Sequence, residues 1–399
     1  MSERRLGYFA IAFAATIPSA AIPLFGTRLS LFPIVALVIT FPRILDTPVS
    51  SLGALVFCGV GLVAATAWVG ALTNDPKVSL LLVSLCGAAV LIAPLWSQPN
   101  ARDQLLTATV ISITVWSFIG LMQVTGVVHA HLQTQDITAL RRPQGWYPEP
   151  DYLGLFAAIG LYLCVWESGS LKMKRYVVRI AAVICGLALL LSFARAAWLA
   201  FIAALAYRTV LAITTNRRET TRRSVRRVAG TFASIVFAVT LALSFSPMLR
   251  SDIGRRIETF TTRNAESDVS GEARRRQTTE LLALGRAAPW YCWGFTSSGR
   301  VDSFGGVITD GRSPNNVGSN LFLSLWLEAK LLALPLLLTL VVLCVSRGSF
   351  PSSRPLMVLI LINSIFSNVF MFSMCWFVIS ACLLKSPEVT RDRARVAPH

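Results

Sequence analysis

The sequence predicts an all-α, polytopic membrane protein of about twelve transmembrane helices, with one large extracytoplasmic loop containing short helices. Three observations predict it. The chain is 54% hydrophobic and only 14% charged, where a soluble domain carries about 25% charged residues, and its mean hydropathy is +0.61. Apolar runs recur along most of its length, and a run of about 20 residues crosses roughly 30 Å of hydrocarbon. Lys and Arg are dense in every second connection, the asymmetry that orients spans in a membrane.

The predicted spans are 6–24, 29–43, 51–71, 78–97, 104–128, 151–167, 177–193, 196–213, 229–248, 321–345, 355–372 and 374–385. In the first, Arg4 and Arg5 precede an apolar run, and small residues follow near Ser19-Ala20-Ala21. A cleaved signal peptide shares that pattern, but further spans follow at once, which favours an uncleaved first span. At the other end, residues 355–385 read either as one long tilted helix or as two short ones. Between the ninth and tenth spans, Gly271 to Ala288 carries Leu281, Leu282 and Leu284 at helical spacing and stops at Pro289. Thr296 to Gly318, rich in Gly, Ser, Asn and Asp, reads as irregular loop. The predicted organisation is therefore nine spans over 1–248, including an outer loop at 129–150. The Arg-rich loop 249–320, spans ten to twelve over 321–386 and a basic cytoplasmic tail at 387–399 complete it.

The short connections fix the orientation. With the N-terminus inside, the cytoplasmic connections hold Arg43, Arg102, the Lys172–Arg179 group, the Arg217–Arg227 group, Arg347 and Arg354, and the tail holds Lys385, Arg391, Arg393 and Arg395. The short outer connections hold only Arg28 and Lys77. Both termini are thus expected inside. The outer segment 249–320 departs from this pattern, with ten Arg from Arg250 to Arg312 and no Lys. Long loops are exempt from the orientation rule, and Arg offers a planar fork of donors suited to phosphate.

The net charge of +17 admits nucleic acid, anionic lipid or anionic substrate as partners. For a chain of membrane spans the bilayer and an anionic substrate are expected, and nucleic acid is not. Cys58, Cys86, Cys164, Cys185, Cys344, Cys375 and Cys382 lie in apolar segments, and Cys292 lies in a long polar loop. This gives neither a disulfide framework nor zinc spacing. His129 and His131 form an H-x-H pair with no carboxylate or Cys cluster beside it, so an interfacial or structural role is expected and no metal. The sequence has no P-loop, no GxGxxG and no H-E-x-x-H. No cofactor is expected, and an enzyme of this kind would draw its energy from an activated substrate.

The densest chemistry is Arg141-Arg142-Pro143-Gln144-Gly145-Trp146-Tyr147-Pro148-Glu149-Pro150-Asp151. Ionisable groups beside a membrane are costly and mark function by default. Pro148 and Pro150 stiffen a turn that delivers Glu149 and Asp151 to the start of the sixth span. One reading is a capped helix start with two interfacial arginines. The other is an anion-binding Arg142 beside a carboxylate, Glu149 or Asp151, able to act as general base. Arg195 interrupts apolar sequence at the outer junction of spans seven and eight. It either snorkels to the interface or joins other arginines on one phosphorylated group. Glu328 and Lys330 lie within span ten, two residues apart and so on different faces, which points to buried polar contacts. Arg208, late in span eight, is expected to reach the cytoplasmic surface.

On these residues the chain resembles the O-antigen ligase and O-antigen polymerase superfamily of bacterial envelope glycosyltransferases. Arg142-x-x-Gly145-x-Tyr147-x-x-Pro150-Asp151 is similar to the family's Arg-x-x-Gly-x-Phe followed by Pro-Asn or Glu-Pro-Ser, and Ser192-Phe193-Ala194-Arg195 to its Ser-x-Ser-Arg. Arg274, with Pro289-Trp290-Tyr291-Cys292-Trp293-Gly294, is similar to its Arg…Pro-x-x-Gly-x-Gly. The likeness covers roughly residues 100 to 345. It implies about a dozen spans, a large periplasmic loop and a polyprenyl-pyrophosphate glycan donor whose pyrophosphate is held by Arg142, Arg195 and Arg274. It further implies a glycan or lipid acceptor, metal-independent electrostatic catalysis and location in the bacterial inner membrane with the site on the extracytoplasmic face. A chain-length regulator and a flippase of the same pathway would be its partners.

Two departures stand out. Where the ligases carry His-Asn this chain has Ser319-Asn320, and their Glu-x-Gly is Glu328-Ala329-Lys330. With the histidine absent, Glu149 is the first candidate base and Asp151 the second, with Arg141, Arg275, Ser319, Asn320 and Glu328 as supporting residues. The Glu-Pro form favours a polymerase of O-antigen or exopolysaccharide repeat units. The alternatives are a ligase moving a finished glycan to a lipid or protein, and a polysaccharide transporter or flippase. A transporter predicts charge near mid-membrane and a repeat between halves, whereas here charge gathers at one face.

Overall fold

In the computed structural model the described residues are 3–17, 21–24, 27–43, 49–73, 75–125, 127–128, 142–147, 149–214, 230, 269–301, 306–308, 318, 320–346 and 348–384. They form thirteen α-helices and one two-stranded β-ribbon. Five helices are long and apolar enough to cross a membrane: Ser51–Val69, Val78–Ser97, Pro99–Val124, Arg195–Thr214 and Leu321–Val345, the last as one broken run. Apart from Gly230, the predicted span 229–248 lies outside the described residues. The chain divides into two compact units, residues 1–105 with 274–399, and residues 106–273.

The first unit opens with α1 (Glu3–Thr16), strands β1 (Ala21–Leu24) and β2 (Thr27–Ser30), and α2 (Leu31–Thr40). The antiparallel ribbon pairs Ala21 with Ser30 and Leu24 with Thr27. It corrects the expectation of two continuous spans at 6–24 and 29–43, and it is the departure from all-α among the described residues. An apolar run this short does not distinguish strand from helix by periodicity, and Pro23 suits an edge of a ribbon better than a helix interior. Next come α3 (Ser51–Val69), opened by Ser50, whose hydroxyl accepts from Gly53 N at 3.0 Å, and α4 (Val78–Ser97).

Near the C-terminus lie α10 (Leu321–Ala329), α11 (Leu334–Val345), α12 (Ser353–Ser364) and α13 (Ser373–Cys382). Residues 355–385 thus form two helices joined by a turn. Helix α11 crosses α3 at Gly59, where a Cβ would meet the Leu336 backbone at 2.9–3.0 Å. The core of the unit centres on Trp96, whose ring packs on Phe350 and Phe377 and whose Nε1 donates to Ser380 Oγ at 2.7 Å. The predicted tenth span is not one helix. Between α10 and α11 a single 3-10 turn, Lys330–Ala333, begins at Lys330 with φ 48° and ψ −126°.

The second unit holds most of α5 (Pro99–Val124), then α6 (Pro150–Trp166), α7 (Arg175–Leu191) and α8 (Arg195–Thr214). Helix α6 is its centre: Leu153 to Val165 are buried without interruption, as expected of a helix apolar all round. Gly160 faces Ile113 and Cys185 so closely that a Cβ would lie 2.8 Å from Ile113 Cγ2. Helix α9 (Val269–Ala287) ends just before Pro289.

Candidate functional site

In the second unit the site grows from the turn before α6. Gln123, buried near the C-terminal end of α5, accepts from Gly145 N at 2.8 Å and Gln144 N at 3.2 Å, and donates to Gly145 O at 2.8 Å. Gly145 has φ +61°, and a Cβ there would meet Trp116 O at 2.8 Å, so glycine is required both by conformation and by the close approach. Two residues on, Tyr147 is fully buried with its ring 4.7 Å from Phe156. Burial pushes its phenol well above its usual range, keeping it neutral.

This anchored turn aims Arg142. Its Nη2 pairs with Asp151 Oδ1 at 2.5 Å, and its Nε donates to Ser192 O at 2.7 Å. Asp151 lies in the first turn of α6, behind Pro150 at the first helical position. Ser192 begins the turn between α7 and α8, in which Phe193 takes φ 52° and Ser192 Oγ accepts from Ala194 N at 3.3 Å. A Cβ on Gly154 would strike Ala194 Cβ and Ser192 Oγ, both at 2.6 Å, so α6 and this turn are in direct contact. Arg195 follows as the first residue of α8 and is exposed. Arg142 therefore ties the first turn of α6 to the C-cap carbonyl of α7, three residues before α8 begins at Arg195. Among the described residues, two of its five N–H donors are used in the bridge.

The sequence-predicted residues fall as follows. Arg142, Asp151 and the turn leading into Arg195 come together. Glu149 is the N-cap residue of α6, exposed, with no capping bond from its side chain. Arg274 and Arg275 are exposed on α9 in the first unit. Arg141 and Ser319 lie outside the described residues, as do His129 and His131. Asn320 caps α10, its Oδ1 accepting from Leu323 N at 3.0 Å.

Glu328, 1% exposed, lies at the end of α10 and accepts from both the backbone N–H (3.3 Å) and the hydroxyl of Ser298. Lys330 donates to Gly285 O of α9 at 2.5 Å and lies 4.1 Å over the Trp326 ring. The Pro289–Gly294 motif folds onto α3 and α10. Trp293 O accepts from Leu72 N at 3.0 Å, Gly294 N donates to Glu328 O at 3.2 Å, and Phe295 N donates to Thr66 Oγ1 at 3.0 Å. Gly294 at φ +97° approaches Gly70 too closely for any side chain. Arg300, an arginine of the 249–320 segment, is buried and donates to Leu72 O and Ile308 O at 2.6 and 3.0 Å.

Sequence reasoning passed over Gln123 and Ser298, and named Ser192 only as part of the motif that ends at Arg195. An amide late in the apolar run 104–128 was the one signal for Gln123, and nothing local marks Ser298.

Residues 180–329 match a family model described as O-antigen ligase. Over that stretch, less than half of the chain, the sequence is similar to this family. The matched stretch runs from within α7 to the last residue of α10, so it includes Arg195, Arg274 and Glu328 and ends just before the break at Lys330. Arg142, Glu149 and Asp151 precede it. The curated proteins yield no match to the chain. Among the described residues five helices are long and apolar enough to cross a membrane, consistent with a membrane protein.

Proposed function

We propose that the protein polymerises polyprenyl-pyrophosphate-linked oligosaccharide repeat units on the extracytoplasmic face of the membrane. The supporting observation is the Arg142 bridge, which ties the first turn of α6 to the turn leading into Arg195 at the start of α8. Helix starts with arginine are suited to a phosphate group. A pyrophosphate leaving group gains charge as the anomeric C–O bond breaks, so fixed donors there stabilise the transition state more than the ground state. Arg142 and Arg195 hold the pyrophosphate in this reading. Glu149, exposed at the start of α6, is the candidate base that takes the proton of the attacking hydroxyl, and Asp151 orients Arg142. The acceptor is the sugar of a second lipid-linked repeat.

The ligase reading is kept because the matched family model is described as O-antigen ligase. Deleting the gene and sizing envelope glycans separates the two. Single repeats accumulating on lipid support the polymerase, long chains left on the lipid carrier support the ligase, and an unchanged profile rejects both. In the complemented strain, Arg142→Ala and Arg195→Ala should each abolish product while the protein still inserts. Full product from either would remove the pyrophosphate clamp.

A further inference from the structure

Within the first unit, helix α3 sets a depth scale. It has 19 residues and no charged side chain, and at 1.5 Å per residue it is about 28 Å long, matching the roughly 30 Å of hydrocarbon in a bilayer. Its ends therefore lie at the two edges of the hydrocarbon. The polar residues Thr73, Asp75 and Lys77 follow its C-terminal end. The Pro289–Thr296 segment is stitched to that end at several points. One turn inside it, Thr66 Oγ1 accepts from Phe295 N at 3.0 Å. At the C-cap, Gly70 meets Gly294 backbone to backbone. Beyond it, Leu72 N donates to Trp293 O at 3.0 Å and Asp75 N to Thr296 Oγ1 at 3.2 Å. These ties hold Trp293 to Thr296 level with the hydrocarbon edge.

Cys292 N donates to Pro289 O at 3.0 Å, closing a turn whose ends are less than about 7 Å apart. Its two tip residues, Trp290 and Tyr291, thus stay near the same level. They are 85% and 47% exposed, with rings 5.7 Å apart edge to face. Trp68, two residues before the end of α3, is 64% exposed. Arg286, in the last turn of α9, is exposed as well. The turn cannot fold these rings away, because Trp293 Nε1 donates to Leu284 O at 2.8 Å and pins it to α9. Toward the middle of α3, where Leu336 crosses Gly59, the exposed side chains of α11 are apolar, Leu334 and Leu338 among them. Large rings exposed to water would form a costly apolar patch. At a membrane surface the same rings rest their apolar bodies on the acyl chains and turn N–H and O–H to the headgroups, while a guanidinium pairs with lipid phosphate.

We propose that Trp68, Trp290, Tyr291 and Arg286 form a belt seated in the phospholipid headgroup layer at the C-terminal end of α3. The Pro289–Gly294 turn and the end of α9 then rest on the bilayer instead of standing in the aqueous phase. This rests on α3 crossing a membrane, and on neither the glycosyl-transfer reading nor the side of the membrane concerned.

The test places a nitroxide at Trp290→Cys, in a chain whose exposed Cys58 is replaced by Ala, reconstituted in vesicles of phosphatidylethanolamine and phosphatidylglycerol. Power saturation reads collisions of the label with oxygen, which concentrates in hydrocarbon, and with a water-soluble nickel chelate. Leu338→Cys gives the hydrocarbon reference, and Gly169→Cys, with open space around it, the aqueous one. Nickel collision at Trp290→Cys should be lower than at Gly169→Cys and higher than at Leu338→Cys, with oxygen in the reverse order. A second measurement keeps the native ring. The fluorescence that Trp290→Phe removes should be quenched more by lipids brominated near the headgroup end of the acyl chains than by lipids brominated near the methyl end. A label indistinguishable from Gly169→Cys, with no quenching by either lipid, overturns the belt and leaves the rings open to a water-borne glycan. A label indistinguishable from Leu338→Cys overturns it by sinking the turn into hydrocarbon. If alkaline carbonate strips the wild-type chain from membranes, the spanning reading of α3 fails and the belt with it.

Discussion

Arg142 is asked to do two things, and the bonds it makes separate them. Its pair with Asp151 is about one-fifth exposed on each side, enough burial for a short ion pair to matter and enough water to limit its worth to about 1 kcal/mol. Its bond to Ser192 O fixes the turn that begins α8. A lysine preserves the charge but not the fork. Arg142→Lys is therefore expected to lose most transfer activity while its midpoint of thermal unfolding in detergent falls only slightly. Asp151→Asn still accepts from Arg142 through its amide oxygen. If Asp151 only orients Arg142, this variant keeps more than a tenth of wild-type turnover, a residual set by about 1.4 kcal/mol of lost stabilisation. Loss of a thousandfold or more would instead make Asp151 the base and return Glu149 to its place at the helix start.

At the scale of elements, the break between α10 and α11 is the clearest case of a structure hidden by composition. Residues 321–345 read as one apolar run, yet Lys330 takes φ 48°, a conformation that costs a non-glycine residue on the order of 1–3 kcal/mol. The resemblance supplies the reason, since the family's Glu-x-Gly places glycine where this chain has Lys330. The lysine offsets the strain with its bond to Gly285 O and its contact with the Trp326 ring. Two variants separate backbone from side chain. Lys330→Met keeps the strain and loses both contacts, whereas Lys330→Gly loses the contacts and relieves the strain. Thermal unfolding should rank wild type above Lys330→Gly and Lys330→Gly above Lys330→Met, with about 1 kcal/mol between the two variants. A lower midpoint for Lys330→Gly than for Lys330→Met would show that the turn is unstrained.

The same element shows what could be read from sequence. Glu328 and Lys330 were visible as charges inside an apolar run, and the start of α6 and the junction at Arg195 were visible as Pro and Arg interrupting apolar periodicity. The contacts of Trp293 and Phe295 with Leu72 and Thr66 were not, because they join residues more than 200 positions apart and leave no local pattern. Nor was the ribbon at 21–30, where an apolar stretch of strand length carries no distinguishing period.

For the whole molecule, the topology expected from the short connections puts the α6–α7 connection in the cytoplasm and, in the proposed reading, the Pro289–Arg300 loop outside. Two sites report this. Trp290 is 85% exposed, and Gly169, between α6 and α7, has open space around any added Cβ. The native thiols interfere little. Among the described cysteines only Cys58 is exposed and must be replaced by Ala. Cys292 is buried in the outer loop, and burial pushes its thiol up from 9.0. Below that value it stays protonated, and the thiolate that attacks a maleimide is scarce at neutral pH. In intact spheroplasts an impermeant maleimide should therefore label Trp290→Cys within minutes and Gly169→Cys only after the membrane is opened. Labelling of both from outside would invert or shorten the predicted topology, and with it the assignment of Arg142 and Arg195 to a lipid-linked donor on the outer face. Labelling of Gly169→Cys alone would put the arginine loop in the cytoplasm, where a polyprenyl-linked repeat awaiting polymerisation would not meet it.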